Sequence, residues 1–160
     1  ERMKTKPEKK LNLSVQYRVR GDKLPSRPLL RKWTLAALKQ PAQITLRIVG
    51  EKEGRILNRD FLGRDYATDV LTFTYPDRRP LTGDIALCAP VVTREARERG
   101  ISMKACYAHL VVHGVLHLQG YDHQHQTEAL EMEKMEARII TRLGFPDPYE
   151  CEESAVRGKK

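Results

Sequence analysis

A chain of 160 residues, 40% of them hydrophobic, falls in the size range of one ordinary domain with a single buried core. No apolar run approaches the length of about eighteen residues that a membrane span needs, and the charged start ERMKTKPEKK has no apolar stretch behind it, so neither export nor membrane insertion is expected. The formal charge of +8 and the pI near 9.5 are a basic excess expected of a protein that meets a polyanion such as nucleic acid, and the charge is unevenly placed, with six basic groups against one acid over residues 18–32 and eight acids against three basic groups over residues 128–153.

In chain order, Leu11, Leu13, Val15, Tyr17 and Val19 alternate with polar residues, the period of a strand with one buried face. Ser26 is placed to cap a helix running to about Gln40, closed by Pro41. Ile44, Leu46 and Ile48 alternate again up to Gly50, and the mixed segment from Glu51 to about Phe61 reads as a short helix before a loop at Gly63-Arg64-Asp65. The β-branched and aromatic run from Asp69 to Tyr75 and the run GDIALC, separated by prolines and Gly83, are expected to be neighbouring strands.

Pro90 and Gly100 bracket a charged helix in the proline-first, glycine-last order. Ser102 caps a more apolar and therefore buried helix ending at Gly120, and Thr127 is expected to cap a last helix through Leu143. The fold class is then α+β: a single domain with a mixed four-stranded sheet packed with about five helices, and a metal site at the end of the buried helix. Residues 1–10 are expected to be a basic flexible N-terminus, 11–150 the one functional domain, and 151–160 a flexible tail. Cys88, Cys106 and Cys151 are odd in number, far apart and without a Cys-x-x-Cys pair, which fits a reducing, cytoplasmic setting.

All five histidines lie between positions 109 and 125. His113 and His117, four apart on a helix, project from one face on successive turns. Gly120-Tyr121-Asp122 supplies a turn that brings His123 back beside that face. Three imidazoles suit one zinc ion per chain, with the fourth position left exchangeable for water. His109, one turn before His113, either packs or steadies a ligand from behind, and His125 is a solvent-facing neighbour or a replacement for His123. Gly114 inside the helix implies close approach of a backbone, a substrate or a packed strand. It also occupies the place where zinc proteases carry their general-base glutamate, which disfavours that route of peptide hydrolysis, and neither a phosphate-binding loop nor a nucleophile elbow occurs.

The run from His113 to His123, HGVLHLQGYDH, resembles the signature of the YbeY family of bacterial endoribonucleases, also called rRNA maturation factors. The stretch from Asn58 to Phe73 (NRDFLGRDYATDVLTF), the Thr82-Gly-Asp-Ile strand and the segment from Gly144 to Tyr149 (GFPDPY) are similar to further family segments, so the resemblance covers roughly residues 11 to 150. It implies a zinc-dependent, single-strand-specific endoribonuclease acting in 3′-end maturation of small-subunit rRNA and in ribosome quality control, with His113, His117 and His123 as zinc ligands. It also implies single-stranded rRNA, the small ribosomal subunit, a small-subunit ribosomal protein and the Era GTPase as partners, and no membrane.

The sequence departs from the family pattern at Leu62, where an arginine commonly precedes the loop glycine. Arg64 or Arg59 is the candidate to replace it at the phosphate, the alternatives being weakened catalysis and, for Arg64, a plain surface charge. Asp122 either orients a ligand imidazole or simply makes the turn. Two rival readings stand beside this one: a non-catalytic assembly factor with a structural zinc, for which Cys106 or His109 would supply a fourth ligand, and a metal hydrolase of a non-RNA substrate.

Overall fold

The computed structural model describes residues 10–21, 23–121 and 126–150. Four strands, β1 (Leu11–Tyr17), β2 (Ala42–Val49), β3 (Val70–Thr74) and β4 (Leu81–Cys88), form one sheet in the order β1-β2-β4-β3. β1, β2 and β4 run parallel, and β3 pairs antiparallel with β4 as an edge strand. Five helices join them: α1 (Arg27–Ala37), α2 (Glu51–Leu62), α3 (Ala89–Arg99), α4 (Met103–Leu118) and α5 (Gln126–Arg142). A final helical turn follows at residues 148–150. Among the described residues no helix is long and apolar enough to cross a membrane.

Register explains the core. Val15 sits opposite Leu46, and Leu46 opposite Ile85, so the apolar residues of three strands share one face. Period 2 then sends Ser14, Thr45 and Asp84 to the other face. The inner face packs against α1 and α4, where Trp33, Leu30, Val111, Val115 and Leu116 join Ile44, Leu46 and Ile85 in one cluster. α2 lies on the outer face over the end of β4, where a Cβ on Gly54 would come within 3.0 Å of Cys88 Sγ.

The strand and helix expectations hold with shifted ends. Ser26 and Ser102 cap α1 and α4 by accepting from the amides of Leu29 and Ala105. Gly63 and Gly100 close α2 and α3 in the left-handed conformation. α1 stops at Ala37, short of Pro41, because Gln119 takes over its end: Nε2 donates to Ala37 O at 2.8 Å and Oε1 accepts from Lys39 N at 2.7 Å. α5 already includes Gln126, so Thr127 lies within the helix and is not its cap. Of the segments expected to be flexible, 1–10 and 151–160, residues 1–9 and 151–160 lie outside the described residues, as does Cys151.

Candidate active site

α4 is the buried helix that the apolar sequence requires, with ten of its sixteen residues buried. Two glycines bring it down onto the sheet. A Cβ at Gly114 would stand 3.2 Å from Ile85 Cδ1 and 3.4 Å from Thr72 Cγ2, and one at Gly83 would stand 2.5 Å from Leu118 Cδ2 and 3.0 Å from the Phe73 carbonyl. Helix-on-strand packing therefore accounts for Gly114, and no substrate is needed to explain it.

The end of α4 is a Schellman motif: Gly120 has φ 98°, its amide donates to His117 O, and the Tyr121 amide donates to Leu116 O. The chain reverses there, one turn beyond the histidines. Asp122, His123 and His125 follow immediately and lie outside the described residues.

The rings of His113 and His117 are 4.7 Å apart between centroids, close enough to address one ion, whereas His109 stands 6.4 Å from His113. Behind His113 lies Glu136 of α5, a carboxylate only 1% exposed. It accepts from His113 Nδ1 and from the Tyr149 hydroxyl, and His109 Nε2 approaches it at 3.7 Å, beyond hydrogen-bond reach. Burial by itself pushes the Glu136 carboxyl up. The His109 and His113 imidazoles and the Tyr149 hydroxyl outweigh that and hold it at about 2. An ionised carboxylate on Nδ1 fixes the proton there, so the lone pair of His113 resides on Nε2, the atom facing away from Glu136.

Nothing in the His-rich run pointed to Glu136. The signal was available in α5 itself, where a glutamate interrupts the buried stripe of Met132, Ile139 and Ile140. Tyr149 reaches the same carboxylate from the segment after α5, which is anchored by Phe145 packing edge-on against Trp33 at 6.1 Å.

Among the described residues no cluster of three or more histidine, cysteine or acidic side chains is arranged to hold a metal. The chemistry of the described part does fit one: two imidazoles on one helix face, one of them held by a carboxylate in the tautomer a metal takes. Cys106 does not contribute, since its buried Sγ turns toward Val92 O at 3.8 Å on α3. Both ring nitrogens of His109 are buried without a hydrogen-bond partner among the described residues, and with Nε2 3.7 Å from Glu136 Oε1 and its ring edge-on to Tyr149 it favours the Glu136 charge from a distance just beyond a hydrogen bond.

Arg59 and Arg64 flank the exposed Leu62 at the end of α2. Arg59 contacts Asp60 at 3.3 Å and Arg64 contacts the Tyr66 hydroxyl at 3.4 Å. No hydrogen bond or ion pair among the described residues joins either guanidinium to the histidines. Their loop is nevertheless fixed: Arg55 grips Asp65 through two bonds of 2.8 and 2.9 Å, and the buried Asn58 donates to Tyr66 O at 2.7 Å. Asp69 is used locally, accepting from the Val70 amide, and Asp84 accepts from the Tyr75 hydroxyl.

The family model of endoribonuclease YbeY matches residues 25–144. The endoribonuclease YbeY of Nitrosomonas europaea is 56% identical over 142 residues, covering 89% of this chain and 87% of the relative. That of Aromatoleum aromaticum is 52% identical over 143 residues, covering 88% and 93%. The solution structure of TM1509 from Thermotoga maritima is similar with a TM-score of 0.54 and 27% identity, over 79% of this chain and 86% of that one.

Proposed function

The chain belongs to the YbeY endoribonuclease family, and on that premise we propose that it is a zinc-dependent endoribonuclease cutting single-stranded RNA in the 3′-end maturation of small-subunit rRNA. The same reading puts it in the cytoplasm, in ribosome quality control, and in contact with the small ribosomal subunit, one of its proteins and the Era GTPase. The observation that carries the metal dependence is the His113–His117 pair, at 4.7 Å, with Glu136 behind His113.

His113, His117 and His123 would hold the ion, the last reached through the reversal at Gly120. When bound, zinc supplies a Lewis acid and brings the pKa of coordinated water down to about 7. Glu136 holds the tautomer of His113 and balances the positive charge gathered there, while Tyr149 fixes the carboxylate in turn. Asp122, beside His123 in the chain, is assigned to orient that imidazole. Arg59 and Arg64, exposed at the end of α2, pair with phosphate oxygens and stabilise the charge that builds up as the phosphodiester is attacked. Leu62 offers no such group, so the phosphate contact falls to its two basic neighbours.

The test compares cleavage of one labelled RNA in single-stranded and hairpin form, before and after chelation and zinc readdition. Cleavage confined to the single strand, lost on chelation and restored by zinc, is expected. Cleavage indifferent to chelation would refute the metal assignment, and equal cutting of the hairpin would refute single-strand specificity.

A further inference from the structure

The outer face of the sheet, beside α2, is hollowed into a cavity of about 550 Å³, within the range of roughly 300–1,000 Å³ usual for small-molecule sites. Register builds it. Phe73, Asp84 and Thr45 stand side by side across β3, β4 and β2, with Arg47 two residues further along β2. Phe61 of α2 closes one side, packing edge-on to Phe73 at 4.8 Å, and Tyr75 closes another.

Three features set this hollow apart from ordinary surface. Phe61 is 63% exposed and Tyr75 38% exposed, so aromatic rings that would normally be buried line a solvent-facing concavity. Its floor is an acceptor: Asp84 takes one bond from the Tyr75 hydroxyl at 2.6 Å, and a carboxylate has room for several more. The rim is basic. Arg78 lies over the Tyr75 ring at 4.9 Å, and Arg47 is steadied by Gln16 at 3.1 Å and Glu53 at 3.6 Å.

Aromatic walls, a hydrogen-bonding floor and guanidinium groups at the rim are the elements by which proteins hold unstacked bases of single-stranded nucleic acid. We infer that this cavity takes one base of a single-stranded RNA, and that it favours bases carrying an exocyclic amino group over uracil. The inference rests on the RNA reading given above. The preference follows from the floor: a carboxylate can only accept, adenine, cytosine and guanine each offer an amino donor, and the single donor on uracil's pairing edge, N3–H, lies between two carbonyl oxygens that the carboxylate repels. The position suits a substrate bound for the histidines. Phe73 lines the cavity, while Thr72, next to it on the edge strand, meets Gly114 of α4 on the opposite face. A strand passing over the β3 edge would connect the two.

The test uses the whole zinc-loaded chain and 2′-O-methylated oligonucleotides of about ten nucleotides, a length matched to single-strand site sizes, so that binding is read without cleavage. Fluorescence anisotropy is expected to show oligo-A and oligo-C binding about tenfold tighter than oligo-U, and Phe61→Ala weakening both by about tenfold, the usual scale for loss of one stacking ring. Asp84→Asn keeps an acceptor for Tyr75 but adds an amino donor, and should erase the discrimination against uracil. Equal affinity for the three oligonucleotides would overturn the inference. So would Phe61→Ala binding RNA like the parent chain, which would make these rings a protein contact. Cleavage of unmodified RNA is scored separately: base preference without cleavage leaves the cavity standing and refutes the nuclease reading, and cleavage without base preference does the reverse.

Discussion

Replacing Glu136 with glutamine tests whether this buried carboxylate sets the state of His113. As an ionised group 1% exposed it can only accept, so it obliges His113 to donate from Nδ1 and Tyr149 to donate its hydroxyl proton. A glutamine of nearly the same shape presents one oxygen and one amino group. With the amino group toward His113, the ring must move its proton to Nε2 and loses the lone pair on the side where an ion would sit. With the amino group toward Tyr149, the hydroxyl turns round to accept, and the bond from His113 falls from charge-assisted to neutral. Either outcome weakens the imidazole as a ligand. Loss of such a partner typically costs about 10–100-fold in metal affinity, or roughly 1.4–2.7 kcal/mol. Competition against a chromophoric chelator should therefore show the zinc Kd of Glu136→Gln raised by that factor, with an unchanged far-ultraviolet circular dichroism spectrum. A folded variant with the zinc affinity of the parent chain would refute the reasoning and leave Glu136 as packing.

Gly83→Ala should destabilise the fold by about 1–3 kcal/mol, the usual cost of overpacking, because one of its near neighbours, the Phe73 carbonyl at 3.0 Å, belongs to the backbone. Thermal unfolding should place it well below Gly114→Ala, whose neighbours are side chains and whose helix propensity improves by about 1 kcal/mol; the reverse order would contradict the packing described. Burial, together with Asp69 beside it, pushes the Glu95 carboxyl up to about 7 from 4.5. Its folded value lies above its unfolded one, so the folded chain keeps the proton longer and stability falls as pH rises through that window. Glu95→Gln should raise stability at pH 8 by about 1 kcal/mol, allowing for solvent screening of a half-exposed group, and change nothing near pH 4; denaturant midpoints that differ equally at both pH values would count against it. RNA affinity should fall with salt, with a log–log slope of about −0.7 per phosphate neutralised, and Arg59→Ala and Arg64→Ala should each flatten it by about that amount. A slope unmoved by either change would remove them from the phosphate path.

The strands and most helix ends were legible in the sequence because their signals are local: alternation in β1 and β2, serine caps before α1 and α4, glycines after α2, α3 and α4. The end of α1 was not, since a side chain from residue 119 competes for its last carbonyl and so fixes it through a long-range contact. The same distinction holds at the site. His113 and His117 share a helix, and four-residue spacing alone places them together. Glu136 comes from another helix and was masked by the acids around it in α5. Its apolar neighbours Met132, Ile139 and Ile140 mark it as the one turned inward. Asp84 and Phe73 meet only through the antiparallel register of β3 and β4, which alternation patterns do not specify.

If histidine-bound metal on α4 makes this chain a ribonuclease, its cleavage of RNA over time must depend on that metal. Zinc-loaded protein and a folded His117→Ala variant are incubated with single-stranded rRNA carrying an unprocessed 3′ end, with zinc content measured on both. Discrete internal cuts by the parent chain and none by the variant are expected. Intact RNA with a fully zinc-loaded parent chain, or equal cutting by both proteins, would rule out that role for the metal.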